Sequence, residues 1–258
     1  MIELSNVSLN FGKGSALLKT VLNELSLSVP AGQWVSILGS NGAGKSTLIG
    51  AISGEHMVDA GSIRIDHTDV TALPPESRAH LVAKVFQDPT AGTFSDLSIE
   101  DNLLLARMRG KKKGLGFLGT HIHRASNKVL LSKLGLGLEY RLNEPVANLS
   151  GGQRQALSLL MATLVPAKVL LLDEHTAALD PRTERMILEL TARIVREHKL
   201  TTLMVTHSLE QALAWGDRIV FLSHGKVVQD IGAAEKATLN VGDLLKRFGS
   251  AADDRMLL

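Results

Sequence analysis

The chain has 258 residues, 45% of them hydrophobic and 21% charged, with a net charge of +2. That is enough chain to bury a sizeable core, and the near-neutral balance points to neither nucleic acid nor lipid as a partner. With no cysteine, disulfides and thiolate metal sites are excluded. The start, Met1-Ile2-Glu3-Leu4, shows no basic segment followed by an apolar one, so no signal peptide is expected. The most apolar stretch, Ala156 to Leu172, is broken by Ser158, Thr163, Pro166 and Lys168. It is too short and too interrupted to span a bilayer, so any membrane role must come through a partner.

In chain order, Ile2, Leu4, Val7, Leu9 and Phe11, then Leu25, Leu27 and Val29, alternate as antiparallel strands do, with a turn at Gly12–Gly14. Trp34 to Leu38 is a short apolar run suited to a buried strand, followed by glycines and a helix from Lys45 to about Ile52. Ser62–Ile65 and Val82–Phe86 are further strand candidates. From about Pro89 to Leu164 the texture turns helical, with helices expected over Ile99–Met108 and Arg124–Leu134. The basic run Arg107–Lys113 reads as a solvated loop, with acidic lipid headgroups as the sharper alternative. Strand and helix then alternate again: Val169–Leu172, a helix opened by Pro181 and running to His198, Thr201–Thr206, Leu209–Trp215 and Arg218–Leu222. Val241, Leu244, Leu245 and Phe248 share one helix face that would cap the fold. The pattern is an α/β core interrupted by a helical insertion.

Gly39-Ser40-Asn41-Gly42-Ala43-Gly44-Lys45-Ser46, followed by Thr47, fits G-x-x-x-x-G-K-[ST] at every fixed position. Glycines let backbone N–H groups turn in around phosphate oxygens, and the following helix offers its positive end. Lys45 is placed to reach the β- and γ-phosphates and Ser46 to put its hydroxyl on Mg²⁺. The bland alternative is a glycine-rich turn before a helix. Asp173 and Glu174 close the apolar run Val169–Leu172, and ligands of parallel sheets sit at the carboxyl ends of strands. Asp173 is then suited to hold Mg²⁺ and Glu174 to take a proton from an attacking water. Without the phosphate loop, two acids ending a strand would simply face solvent.

Leu149-Ser150-Gly151-Gly152-Gln153 is a second candidate anion site at a helix start. Together with the phosphate loop and the carboxylates it closely resembles the signature of the ATPase subunits of ABC transporters, in family order over nearly the whole chain. That resemblance implies a P-loop NTPase of ABC ATPase type: a mainly parallel core sheet, an antiparallel β subdomain and an inserted helical subdomain. The corresponding division is 1–88 with 165–235 as catalytic core, 89–164 as helical subdomain and 236–258 as C-terminal helix and tail. It also implies roles. Phe11 stands where an aromatic stacks on adenine, Gln87 where a glutamine contacts Mg²⁺ and the attacking water, and Asp180 where the chain crosses to the partner's site. His207 stands where a switch histidine meets the γ-phosphate.

Two phosphate cradles in one chain suggest a head-to-tail dimer. Each ATP would lie between one copy's Gly39–Thr47 and the other copy's Ser150, Gly151, Gly152 and Gln153. The resemblance further implies ATP and Mg²⁺ as ligands, and separate permease subunits with, indirectly, a solute-binding protein as partners. It implies a place on the cytoplasmic face of the cell membrane and no nucleic acid. The run Asp173 to Pro181 departs from the family's usual proline after the acids, having His175-Thr176 instead. It is similar to a subgroup of importer ATPases loosely assigned to tryptophan, tyrosine or related solutes. A charge on His175 near neutral pH could tune Glu174, although a tolerated replacement is the simpler reading. The expected function is an ATP-hydrolysing subunit driving import of a small organic solute such as an amino acid. A soluble ABC-type ATPase without a transport role, and the ATPase of an exporter, are the competing readings.

Overall fold

Alternating apolar residues near the N-terminus build a twisted antiparallel sheet. The computed structural model describes residues 1–14, 17–110 and 123–249. Strands β1 (Ile2–Phe11) and β2 (Lys19–Val29) pair antiparallel. The other edge of β1 takes β4 (Ala60–Ile65), which in turn pairs with the two-residue β5 (Thr68–Asp69). Between them in sequence lie β3 (Trp34–Gly39) and helix α1 (Lys45–Ser53).

The second sheet is parallel except at one edge. It joins β3 to β6 (Val82–Val85), β7 (Val169–Asp173), β8 (Thr201–Val205), β9 (Arg218–Ser223) and the antiparallel edge strand β10 (Lys226–Ile231), in the order β10-β9-β3-β8-β7-β6. Crossover segments carry α2 (Pro75–Arg78), α3 (Ile99–Arg107), α4 (Arg124–Ser132), α5 (Gly151–Thr163) and α6 (Pro181–His198). Helices α7 (Leu209–Ala214), α8 (Ala233–Lys236) and α9 (Val241–Gly249) complete the described chain.

Side chains alternate across the parallel strands and so separate two cores. Val35, Ile37, Leu171 and Leu203 face α1 and the inner side of the first sheet. Helix α1 is buried through Leu48, Ile49, Ala51 and Ile52, which is why it shows little amphipathic pattern. On the other face, Leu170, Leu172 and Met204 pack with Ile99, Leu131, Leu157 and Leu188 of the long helices. A third cluster holds the C-terminal end, where Phe248 stacks on Phe221 with ring centroids 4.1 Å apart. Leu244 and Phe248 are buried there, but Leu245 is exposed and Val241 only half-buried. The capping face of α9 is therefore narrower than the four-residue spacing suggested.

Other expectations shift by a residue or two. Helix α5 begins at Gly151, not Gln153, because Ser150 caps it with a reciprocal Ser150–Gln153 capping box. Strands β5 and β10 and the short helices α2 and α8 had no counterpart in the sequence reading. In the basic run, Arg107 donates to Asn127 Oδ1 (2.7 Å), and Arg109 donates to the carbonyls of Ala162 in the last turn of α5 and of Val165 just beyond it. These two cations brace the helical layer and do not stand free in solvent; residues 111–113 of the run lie outside the described residues, as do 250–258 of the tail.

Candidate active site

The carboxyl ends of β3, β7 and β8 deliver the candidate groups to one edge of the parallel sheet. Gly39 ends β3 with φ +154, and a Cβ there would lie 2.4 Å from the Leu222 carbonyl oxygen of β9. Gly44 precedes α1 at φ +103, and its Cβ would lie 2.9 Å from the Val21 carbonyl of β2. Both positions exclude a side chain on conformation and on space. The loop is also stitched from outside: Gly225 N–H donates to Ala43 O (3.0 Å), and Asn23 N–H donates to Gly225 O (3.1 Å). Helix α1 has no side-chain cap and no acidic residue in its first turn, which leaves its leading N–H groups to an outside anion.

Lys45 is buried, and its Nζ donates to the carbonyls of Gly39 (2.7 Å) and Ser40 (3.0 Å). Burial lowers its pKa, while the charges of Glu174 and Asp173 act to raise it. Ser46 Oγ donates to Asp173 Oδ1 at 3.4 Å. Burial pushes the Asp173 carboxyl up, opposed by the Lys84 charge. Glu174 follows directly with a left-handed backbone, φ +47, and its N–H donates to Val205 O at the end of β8. Its Oε1 lies 2.5 Å from His207 Nε2. A strained acid gripped by a histidine from the neighbouring strand end is a feature to expect at a site of chemistry.

The remaining candidates are placed as follows. Gln87 is exposed two residues beyond β6, and among the described residues its side chain has no hydrogen-bond partner. The loop it opens is seated by Gln155, whose Nε2 donates to Phe86 O (3.3 Å). Phe11 is 42% exposed at the end of β1 and meets His56 edge-on at 5.3 Å. Ser150 and Gln153 close the capping box of α5, and Gln153 Oε1 also accepts from Arg141 (3.2 Å). The Gln153 amide is thus held within its own chain, by the cap of α5, by Arg141 and by the Leu136 carbonyl. Gly152 lies against α6, where a Cβ would come within 2.3 Å of Thr183 Cγ2, whereas Gly151 has nothing nearer than Leu179 Cδ2 at 3.8 Å. Asp180 caps α6, its Oδ1 accepting from the N–H groups of Arg182 and Thr183 (3.1 Å each).

Residues 22–177 match the model of the family described as ABC transporter. The chain belongs to the ABC transporter family. A tyrosine transport ATP-binding protein of Clostridioides difficile is 45% identical over 249 residues, covering 96% of this chain and 98% of the relative. A xylose/arabinose import ATP-binding protein of Sulfolobus acidocaldarius is 36% identical over 88% of this chain and 86% of its own. Among solved structures, a dimeric post-hydrolysis state of an ATP-binding cassette bound to ADP and Pi matches with a TM-score of 0.76 at 26% identity. It covers 90% of this chain and 99% of that one. The chain is the ATP-hydrolysing subunit of an ABC importer, which sets aside the readings without transport and as an exporter. As a transporter subunit it has permease partners, and no helix among the described residues is long and apolar enough to cross a membrane.

In this ABC transporter ATPase His175 is no charge switch. It is buried, and its Nε2 lies 3.2 Å from Thr191 Oγ1, whose hydroxyl donates to Ile187 O (2.7 Å). With that one hydrogen spent, Thr191 accepts from His175, which fixes the neutral Nε2–H tautomer. Burial lowers the pKa to about 4, so at neutral pH the ring carries no charge with which to tune Glu174. Nothing in the sequence marks Thr176, Thr206 and Gln211 as site residues, the first two standing there only as neighbours of His175 and His207. They form a hydrogen-bonded set beside the ABC site, and no motif spacing announces them.

Proposed function

We propose that two copies of this chain sandwich two ATP molecules and drive a permease that imports an aromatic amino acid or a related small organic solute. The 45% relative named for tyrosine transport supports the solute class. The assignment of the chemistry rests above all on the Glu174–His207 pair at 2.5 Å, one residue past the Ser46–Asp173 contact. Amides at the start of α1 would receive the phosphates, and Lys45 would exchange the loop carbonyls for β- and γ-phosphate oxygens. Phe11, half-exposed, offers an apolar face to adenine.

A hydroxyl beside a buried carboxylate is an oxygen donor set that suits Mg²⁺, which takes few protein ligands and completes its shell with water and phosphate. Among the described residues no cluster of three or more His, Asp or Glu forms a cage of protein ligands. Ser46 and Asp173 would hold the ion, with Gln87 reaching it from the β6 side. Bound there, Mg²⁺ would neutralise charge gathering on the phosphate oxygens. Glu174 would take the proton of the water that attacks the γ-phosphorus, as the bond to the β-phosphate oxygen breaks. His207 would hold Glu174 in line and contact the γ-phosphate.

Gly151 supports the paired arrangement. Its own fold gives it room for a side chain, so its bare N–H serves something outside the chain, here the second copy's nucleotide. The chain would lie on the cytoplasmic face of the cell membrane, held by the permease, with a solute-binding protein as the indirect partner. Glu174→Gln tests the chemistry. The variant should bind ATP, dimerise and turn over about a hundredfold or more slowly; turnover equal to wild type would remove Glu174 from its role.

A further inference from the structure

Beside the candidate site lies a cleft of about 170 Å³ lined by Glu174, Thr176, Thr206, His207 and Gln211 among others. Gln211 sits in α7, on neither of the two strand ends that carry the reacting groups. Its side chain nevertheless touches both. Thr206 Oγ1 donates to Gln211 Oε1 at 2.7 Å, and Gln211 Nε2 donates to Thr176 Oγ1 at 3.3 Å. Thr206 precedes His207, and Thr176 follows Glu174 by two residues. Both threonines are buried. Thr206 Oγ1 also accepts from Ser208 N–H (3.1 Å), so it grips the histidine from both sides of the chain. Gln211 is itself fixed at the backbone, its N–H donating to the Ser208 cap of α7 (3.1 Å).

We propose that Gln211 is a positioning residue: a single amide that ties the Glu174 segment to the His207 segment and sets the separation of the two. This rests on the roles given above to Glu174 and His207. An amide suits the task because it accepts at one end and donates at the other, as the two threonines here require. The left-handed backbone of Glu174 gives the clamp something to hold, since a non-glycine residue in that region persists only where its surroundings enforce it. Removing the amide frees both threonines and lets the two strand ends part by a fraction of an ångström.

Gln211→Met removes both hydrogen bonds at nearly constant volume. Gln211→Glu keeps both, because the Thr176 hydroxyl rotates to donate to the carboxylate. ATPase turnover and the KM for ATP are measured for the purified full chain under saturating Mg²⁺. Gln211→Met should lower kcat about tenfold with KM within about twofold of wild type, since a small misplacement near reacting groups costs rate and not binding. Gln211→Glu should recover most of kcat. Made in a His207→Ala background, Gln211→Met should change nothing further, because the contact it positions is already gone. Wild-type kcat in Gln211→Met, or an undiminished effect in the His207→Ala background, overturns the proposal. A Glu174→Gln control separates the two levels. If that variant turns over normally, the underlying assignment of the site fails; if it stalls while Gln211→Met does not, only the clamp fails.

Discussion

His175 shows how one side chain changes meaning when its surroundings are known. In the sequence it stands beside a catalytic candidate and invites a pH role. In the fold it points away from solvent into α6, neutral, with its Nε2–H on Thr191. Its consequence is for stability. The unfolded chain has an ordinary histidine near 6.5, and the folded chain protonates only near 4. Between those values the unfolded state binds the extra proton, so the contribution is complete above about pH 6.5 and is lost as pH falls toward 4. The loss between pH 7.5 and pH 5 is about 2 kcal/mol. Denaturant unfolding at those two pH values should show a smaller drop for His175→Leu than for wild type by about that amount; equal drops would mean that His175 is protonated in the fold. The phosphate loop, Asp173, Glu174 and the signature could be picked out as candidates at this scale because the chemistry proposed for them demands fixed residue types at fixed spacing. Gln211, Thr176 and Thr206 could not, because their proposed role arises from one helix side chain joining two separate strand ends, with Thr176 lying 35 residues from Gln211, and no local pattern encodes that.

Elements were legible in proportion to their length and to the sharpness of their burial. Helix α6 and strands β1, β7 and β8 fall within a residue or two of expectation, since each has a sharply amphipathic or largely buried run; β2 begins at Lys19, six residues before the expected Leu25, because its opening residues Lys19 and Thr20 are exposed and give no apolar signal. Strand β10 was passed over because its residues alternate between exposed and half-buried until Ile231, leaving little hydrophobic contrast. Its signal was the turn before it, where His224 and Gly225 both have positive φ, as a two-residue hairpin turn demands. Glycine in the signature carries two unlike messages at neighbouring positions. Gly152 is needed by the packing of α5 on α6, so Gly152→Ala should destabilise the protein by about 1–3 kcal/mol as the helices are forced apart. Adding Thr183→Ser, which removes the very methyl that the new Cβ would strike, should return most of that in thermal unfolding. No rescue would place the strain elsewhere.

On the scale of the whole molecule, the two candidate anion sites stand on different layers: the phosphate loop between the sheets, the signature at the head of a helix in the helical layer. In the proposed sandwich a pair of copies would complete what one begins. Mixing tests this without any new contact. A Lys45→Ala chain and a Gly151→Asp chain are each defective in every site they form with themselves. A mixed pair has one site with an intact loop and an intact signature, so mixing equal amounts should restore about a quarter of wild-type activity per chain. Failure to regain activity, with both chains folded and binding ATP or pairing as expected, would count against the sandwich.

Gly44 bears on how such chains are compared. Its Cβ is excluded by the Val21 carbonyl of β2, and the loop around it is laced to the β9–β10 turn, so the architecture forbids a side chain there whether or not a phosphate ever arrives. A descendant that had abandoned nucleotides altogether would still keep this glycine, as a fossil of packing. Lys45 and Ser46, whose heads would serve the ligand in the proposed mechanism, would be free to drift. Loss of catalysis in a lineage would therefore be written in the two residues after the glycine, and the glycine itself would keep silent.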